Sequence, residues 1–470
     1  MKPYKILIFL AAILLSLGTI CYLGGGTPIA IGEFELRLPN LFFSSNTETD
    51  RVSVEQLLAQ STNTMEVDSI PTSVEPQRDT LEFYHNFMAE NPARLYLPNG
   101  DTCVSILAPL FTALENASRE TVHIMHYGDS QVEGDRISGY LRRMFQAEYG
   151  GNGPGMLPVV QNIGAMSVAQ SLSDTLTSYM AGGMLGKRAK HKTYGAMAQF
   201  AHIKAQIEAP LDLTISSRRV AGFKRIKLYM ANVSDPLMVK LNGNAPQSAP
   251  VGEELQSLSW RLKKDSKRLN ISFSGEADVL GIYIDADTGV TVTNIPLRGS
   301  DGTFFTRIRK KEFADMLQDT NTRLILLEFG GNALPMMRDS TKLARYGASF
   351  AKQIRYVKSA CPEAIVIVIG PADMNTKVKG VLQTHPMLEP LIAQMRESTL
   401  NSGAIYWDMY QAMGGCNSMR VWADHQPAWA GADYIHFTRA GADQIANLFW
   451  RSLMIYRDYW RLTTNATVDN

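Results

Sequence analysis

The sequence predicts an α/β fold: a parallel, doubly wound sheet with helices on both faces, interrupted by an inserted antiparallel β-sandwich and preceded by one membrane-spanning helix. Three observations carry this. Continuously apolar β-rich runs alternate with amphipathic helices, as in Thr121–Tyr127 (TVHIMHY), Arg323–Phe329 (RLILLEF) and Ala364–Gly370 (AIVIVIG). Buried strands alternating with helices of this length argue for parallel pairing. Between them, residues 159–290 change to short β runs separated by turn residues, several alternating apolar and polar as a half-solvated antiparallel sheet does. The third observation is the apolar run near the N-terminus.

That run, Ile6–Leu23, holds eighteen uncharged and mostly apolar residues behind Lys2 and Lys5, just long enough to cross a bilayer. Basic residues before the span place the N-terminus in the cytoplasm and the rest of the chain outside. A cleaved signal peptide would carry small residues after a shorter apolar core. Ser16-Leu17-Gly18 is the only near match and lies inside the run, so residues 1–25 are read as an uncleaved anchor. On either reading the body of the protein is exported.

Residues 26–80 read as a tether, because from Ser44 to Thr80 the chain is rich in Ser, Thr, Glu, Asp, Asn and Pro with little periodicity. Folded structure is expected from Leu81, where Leu81, Phe83, Tyr84 and Phe87 are spaced for a helix face. Residues 81–158 form the first part of the α/β domain. Behind Thr121–Tyr127, Ile137, Tyr140, Leu141, Met144 and Phe145 recur at helical spacing, giving a strand, a tight turn at Gly128-Asp129-Ser130, and a helix. The insert follows with LDLTI from Leu211, FKRIKLYM from Phe223, LMVKL from Leu237, LSWRL from Leu258, RLNISFS from Arg268 and DVLGIYI from Asp278. Residues 291–470 return to strand and helix alternation, including a helix carrying Leu343, Tyr346, Phe350, Ile354 and Val357.

Composition narrows the function classes. The 46 basic and 45 acidic residues nearly cancel, so no global field favours nucleic acid. The four cysteines have no C-x-x-C or Cys/His ligand spacing, and no metal or cofactor is expected. GGMLGK (Gly182–Lys187) and GGNGPG (Gly150–Gly155) fit neither a phosphate loop nor a dinucleotide fingerprint.

Ser130 falls at the carboxyl end of the first predicted strand, where open α/β sheets place their crevice. A nucleophilic serine needs a sharp turn so that its hydroxyl projects, and Gly128 supplies room for one. It also needs a base, usually an imidazole oriented by a carboxylate. Among the eight histidines, only His436 has Asp or Asn three residues before it, in Asp433-Tyr434-Ile435-His436. Donors for a tetrahedral oxyanion are the third requirement. The N–H of Ser130, Asn332 in Gly330-Gly331-Asn332, and Gly299 in Asn294–Ser300 are the candidates, with Gly195 and Gly164 behind Gly299. Trp422, Trp429 and Tyr434 either line a sugar or acyl pocket or pack in the core.

G-D-S, a donor glycine, G-x-N and D-x-x-H in this chain order resemble the SGNH/GDSL hydrolase family, over roughly residues 121–150 and 290–450. The resemblance implies a flavodoxin-like three-layer domain with Ser130, Gly299, Asn332 and His436 as its four named positions and Asp433 completing a triad. Gly128–Glu133 and the β insert resemble envelope members acting on O-acetylated cell-wall glycans such as peptidoglycan. What this implies is a serine esterase on acylated cell-wall carbohydrate at the extracytoplasmic face of the inner membrane. Two alternatives remain at this point: an O-acyltransferase working with a membrane protein that exports the acyl group, and a non-catalytic glycan-binding protein.

Overall fold

A computed structural model describes residues 29–31, 34–36, 78–98, 100, 104–217 and 222–468. The Ile6–Leu23 segment lies outside the described residues, and among these no helix is long and apolar enough to cross a membrane. The chain divides into two compact units, residues 1–53 and 54–470. In the first, Ile29–Ile31 and Phe34–Leu36 pair as an antiparallel hairpin, inside the stretch read as a tether. Most of the remaining tether lies outside the described residues.

The second unit begins its described part with the helix Arg78–Glu90, at the expected helix face. Its centre is a six-stranded sheet, numbered here in chain order: β1 Leu95–Tyr96, β2 Thr121–Gly128, β3 Gly289–Pro296, β4 Thr322–Glu328, β5 Ile365–Ile369 and β6 Ile405–Trp407. The spatial order is β3-β2-β4-β5-β6-β1, parallel except for β1. Successive side chains of a strand point to opposite faces, and each face buries its own cluster. Tyr127, Ile325, Leu327 and Val368 pack with Phe313, Phe350, Ile354 and Val357 of the helices Lys310–Asp319 and Ser340–Ala360. Ile124, Leu324, Leu326 and Ile367 pack with Leu141, Phe145, Ile445 and Leu453 of the helices Arg136–Tyr149 and Arg439–Val468. Two covered faces explain why these strands are continuously apolar. This is a mixed α/β fold built on a largely parallel sheet.

Between β2 and β3 the chain forms a nine-stranded antiparallel sheet with a core of its own. It differs from the expected sandwich of short strands. FKRIKLYM and LMVKL belong to one strand, Phe223–Leu241, and RLNISFS and DVLGIYI to another, Arg268–Asp285. The turn-forming residues between the runs make bulges instead of ends. The register of the two strands slips between Tyr229 and Met238, Asn232 adopts a φ of 49° and Gly275 a φ of 111°. A Cβ on Gly275 would stand 2.2 Å from the Pro236 carbonyl oxygen, so only glycine lets the backbones approach there.

Candidate active site

Three strands of the central sheet end at one level. Gly128 of β2 pairs with Pro296 of β3 on one side and with Glu328 of β4 on the other, so the loops carrying Ser130, Gly299 and Asn332 leave the same carboxyl edge. The turn at Ser130 is shaped locally. A Cβ on Gly128 would meet the Val132 methyls at 2.7 and 2.8 Å. Asp129 Oδ1 accepts the Gln131 N–H at 2.9 Å, an Asx turn that starts the short 3₁₀ segment Ser130–Asp135.

His436 reaches this edge from a loop preceding the last helix. Asp433 Oδ1 accepts the N–H groups of Ile435 at 3.0 Å and His436 at 3.1 Å, which folds the loop so that Asp433 Oδ2 meets His436 Nδ1 at 2.7 Å. His436 Nε2 lies 2.8 Å from Ser130 Oγ. A carboxylate only accepts, so Nδ1 carries the hydrogen and Nε2 accepts from the serine hydroxyl. Partial burial alone would push Asp433 up, but hydrogen bonds from the His436 ring and from the N–H groups of His436 and Ile435 outweigh it and hold the carboxyl below its ordinary value.

Asn332 lines the groove at the same edge. Its Nδ2 donates to Asp129 Oδ2 at 2.9 Å and to the Ser300 carbonyl at 3.3 Å. Burial pushes the Asp129 carboxyl up to about 7 against the opposing Gln131 N–H, with the neighbouring Glu328 adding to the rise. Behind Asp129 a buried network continues. The Ser138 hydroxyl donates to Asn294 Oδ1 at 2.7 Å and faces His126 Nδ1 at 3.0 Å, while His126 Nε2 faces Glu328 Oε2 at 2.9 Å. Because the Ser138 hydrogen is committed to Asn294, His126 Nδ1 donates to the Ser138 oxygen.

A groove of about 570 Å³ runs between these loops, lined by Ser130, Arg136, His436, Gly299, Asn332 and Met184 among others. Gly299 has a φ of 74°, and a Cβ there would meet Met184 Sδ at 2.2 Å. The structure therefore brings Ser130, Gly299, Asn332, Asp433 and His436 to one groove. Gly195 faces Leu280 and Met316 in the interior instead, and neither it nor Gly164 lines the groove. Trp422 and Trp429 are buried in the core, where Trp422 Nε1 donates to the Met413 carbonyl at 2.9 Å. Sequence reasoning gave no role to Asp129, Gln131, Arg136 or Met184. The first two stand in the motif itself, but their partners are far away in the chain.

A scan against protein-family models finds no match, and a search of curated proteins finds none. Among solved structures, one of a peptidoglycan O-acetylesterase superposes with a TM-score of 0.63 at 22% identity, covering 75% of this chain and 96% of the other. A family two carbohydrate esterase from Cellvibrio japonicus matches at a TM-score of 0.25 and 10% identity, over 63% of this chain and 99% of the other. A GDSL-like lipase from Parabacteroides merdae matches at 0.26 and 12%, over 35% and 74%. The chain thus has the fold of a solved peptidoglycan O-acetylesterase.

Proposed function

We propose that the protein is an ester hydrolase that removes acyl groups from O-acetylated envelope polysaccharide such as peptidoglycan, through an acyl-Ser130 intermediate. The observation that carries this reading is the hydrogen-bonded chain Ser130–His436–Asp433 opening into a groove. His436 takes the Ser130 proton as Oγ attacks the ester carbonyl, and then returns it to the departing sugar oxygen. Asp433 keeps the imidazole in the tautomer this requires and stabilises the imidazolium that forms. The N–H groups of Ser130 and Gly299 and the amide of Asn332 serve the oxyanion. For Asn332 this means releasing the longer bond, to the Ser300 carbonyl. Water activated by His436 then attacks the acyl-enzyme, and acetate leaves.

A sugar hydroxyl in place of that water makes the same machinery an O-acyltransferase. The N-terminal apolar segment favours this second reading, since it would hold the site beside a membrane partner supplying acyl groups. On either reading the catalytic part works outside the cytoplasm.

Acetate release from O-acetylated peptidoglycan, with and without added acceptor glycan, tests the proposal. Ser130→Ala and His436→Ala each abolish nearly all turnover, and the double variant is hardly worse because the two act as one unit. Asn332→Ala keeps nucleophile and base and lowers kcat by about 10²–10³. Wild-type turnover in Ser130→Ala would overturn the nucleophile assignment.

A further inference from the structure

The loop that carries His436 is folded on itself by Asp433 and by the Gly431 N–H donating to the His436 carbonyl at 2.8 Å, yet proton transfer also requires the ring to hold its place against Ser130. Gln131, the residue after the nucleophile, supplies the tie. Its Nε2 donates to the Ile435 carbonyl at 2.7 Å, and its Oε1 accepts the Phe437 N–H at 3.3 Å. A primary amide offers a donor and an acceptor in one plane. It therefore engages the backbone on both sides of His436 at once, as a residue of a neighbouring parallel strand would. Arg136 reinforces the same junction from below. Its guanidinium donates to the carbonyls of Ser130, Gln131 and Glu133 on the serine turn and to that of Phe437 on the histidine loop.

The geometry points to Gln131 as a positioning residue: we propose that its amide clamps the peptide segment around His436 and thereby sets the Ser130–His436 distance. The inference rests on the hydrolase reading above. It explains why the motif continues into a glutamine at this position, whose side chain turns toward the histidine loop. It also divides the labour within the turn: Asp129 shapes the backbone at Ser130, while Gln131 fixes the base relative to it. Losing the clamp leaves both catalytic side chains in place but lets the imidazole drift, and a displacement on the order of 1 Å costs about 10²-fold in rate.

The test uses Gln131→Met, of similar length without polar atoms, and Gln131→Glu, which keeps the acceptor and loses the donor. Gln131→Met should lower kcat for p-nitrophenyl acetate by about 10²-fold with KM nearly unchanged. The rate at which a serine-directed phosphonate labels Ser130 should fall by the same factor, since that reaction needs the same base. Gln131→Glu should recover relative to wild type as pH falls from about 6 to about 4, because a protonated carboxyl regains a donor. That ratio decides the matter where Gln131→Met also lowers the thermal midpoint, since loss of folding alone would not produce it. Wild-type kcat and labelling in Gln131→Met, a loss confined to KM, or a pH-independent ratio for Gln131→Glu would each overturn the clamp. Turnover retained in Ser130→Ala would instead overturn the hydrolase reading, whichever way the glutamine variants behave.

Discussion

His123 lies near the start of β2 and Asp129 directly after its end, and their burial pulls the pH dependence of stability in opposite directions. Burial pushes Asp129 from an ordinary 3.8 up to about 7, so the folded protein keeps a proton that the unfolded chain has lost. This contribution is full at low pH and is lost as pH rises toward about 7. Burial pushes His123 from 6.5 down to about 3, between the hydroxyls of Thr293 and Thr320. Its contribution is full above the unfolded value and is lost as pH falls toward about 3. The two oppose each other across the weakly acidic range. Thermal unfolding followed against pH should separate them: in Asp129→Asn stability rises more steeply with pH than in wild type, and in His123→Gln it rises less or falls. Unchanged slopes in both variants would contradict these assignments.

At the scale of elements, the serine turn is set by how tightly Gly128 packs on Val132. Gly128→Ala brings a methyl within 2.7 Å of the Val132 side chain, overpacking that typically costs about 1–3 kcal/mol. The strain falls on the turn itself, so kcat should drop along with the thermal midpoint. Gly128→Ala combined with Val132→Ala relieves the Val132 contacts, leaving the Glu328 carbonyl oxygen at 3.2 Å, and should restore part of kcat, while a cavity keeps the midpoint low. If the double variant were as inactive as the single one, space at Val132 would not be what the turn requires.

For the whole molecule, the insert is part of the groove. Met184 leaves the antiparallel region to donate its N–H to the Arg298 carbonyl at 2.8 Å, and its side chain stands over Gly299 with 77% of its surface exposed. Arg298 in turn grips Glu133 of the serine turn side-on, its Nε and Nη2 donating to the two carboxylate oxygens at 2.5 Å each. Insert, glycine loop and serine turn therefore meet at one rim. Met184→Ala should leave folding and hydrolysis of p-nitrophenyl acetate nearly unchanged and raise KM for the acetylated polymer, which extends past the rim. Equal effects on small and polymeric substrates would remove the insert from substrate positioning.

What could be read from the sequence is what local physics writes into it. Apolar runs marked β2, β4 and β5, helical spacing marked the helices that cover them, and Gly-Asp-Ser, Gly-Gly-Asn and Asp-x-x-His each declared a turn with a reactive or hydrogen-bonding side chain. Tertiary structure alone decided the rest. The bulges at Asn232 and Gly275 keep two long strands continuous where turn residues suggested ends. Trp422 and Trp429 went to the core, where their rings pack on each other and Trp422 on Phe437. The amide of Asn332 turned to Asp129, 203 residues away, and Gln131 found Ile435 at a separation of 304. No window of sequence contains both partners of such a contact. Periodicity and turn chemistry are properties of neighbouring residues, whereas hydrogen bonds across the groove exist only once the sheet has brought its strand ends together.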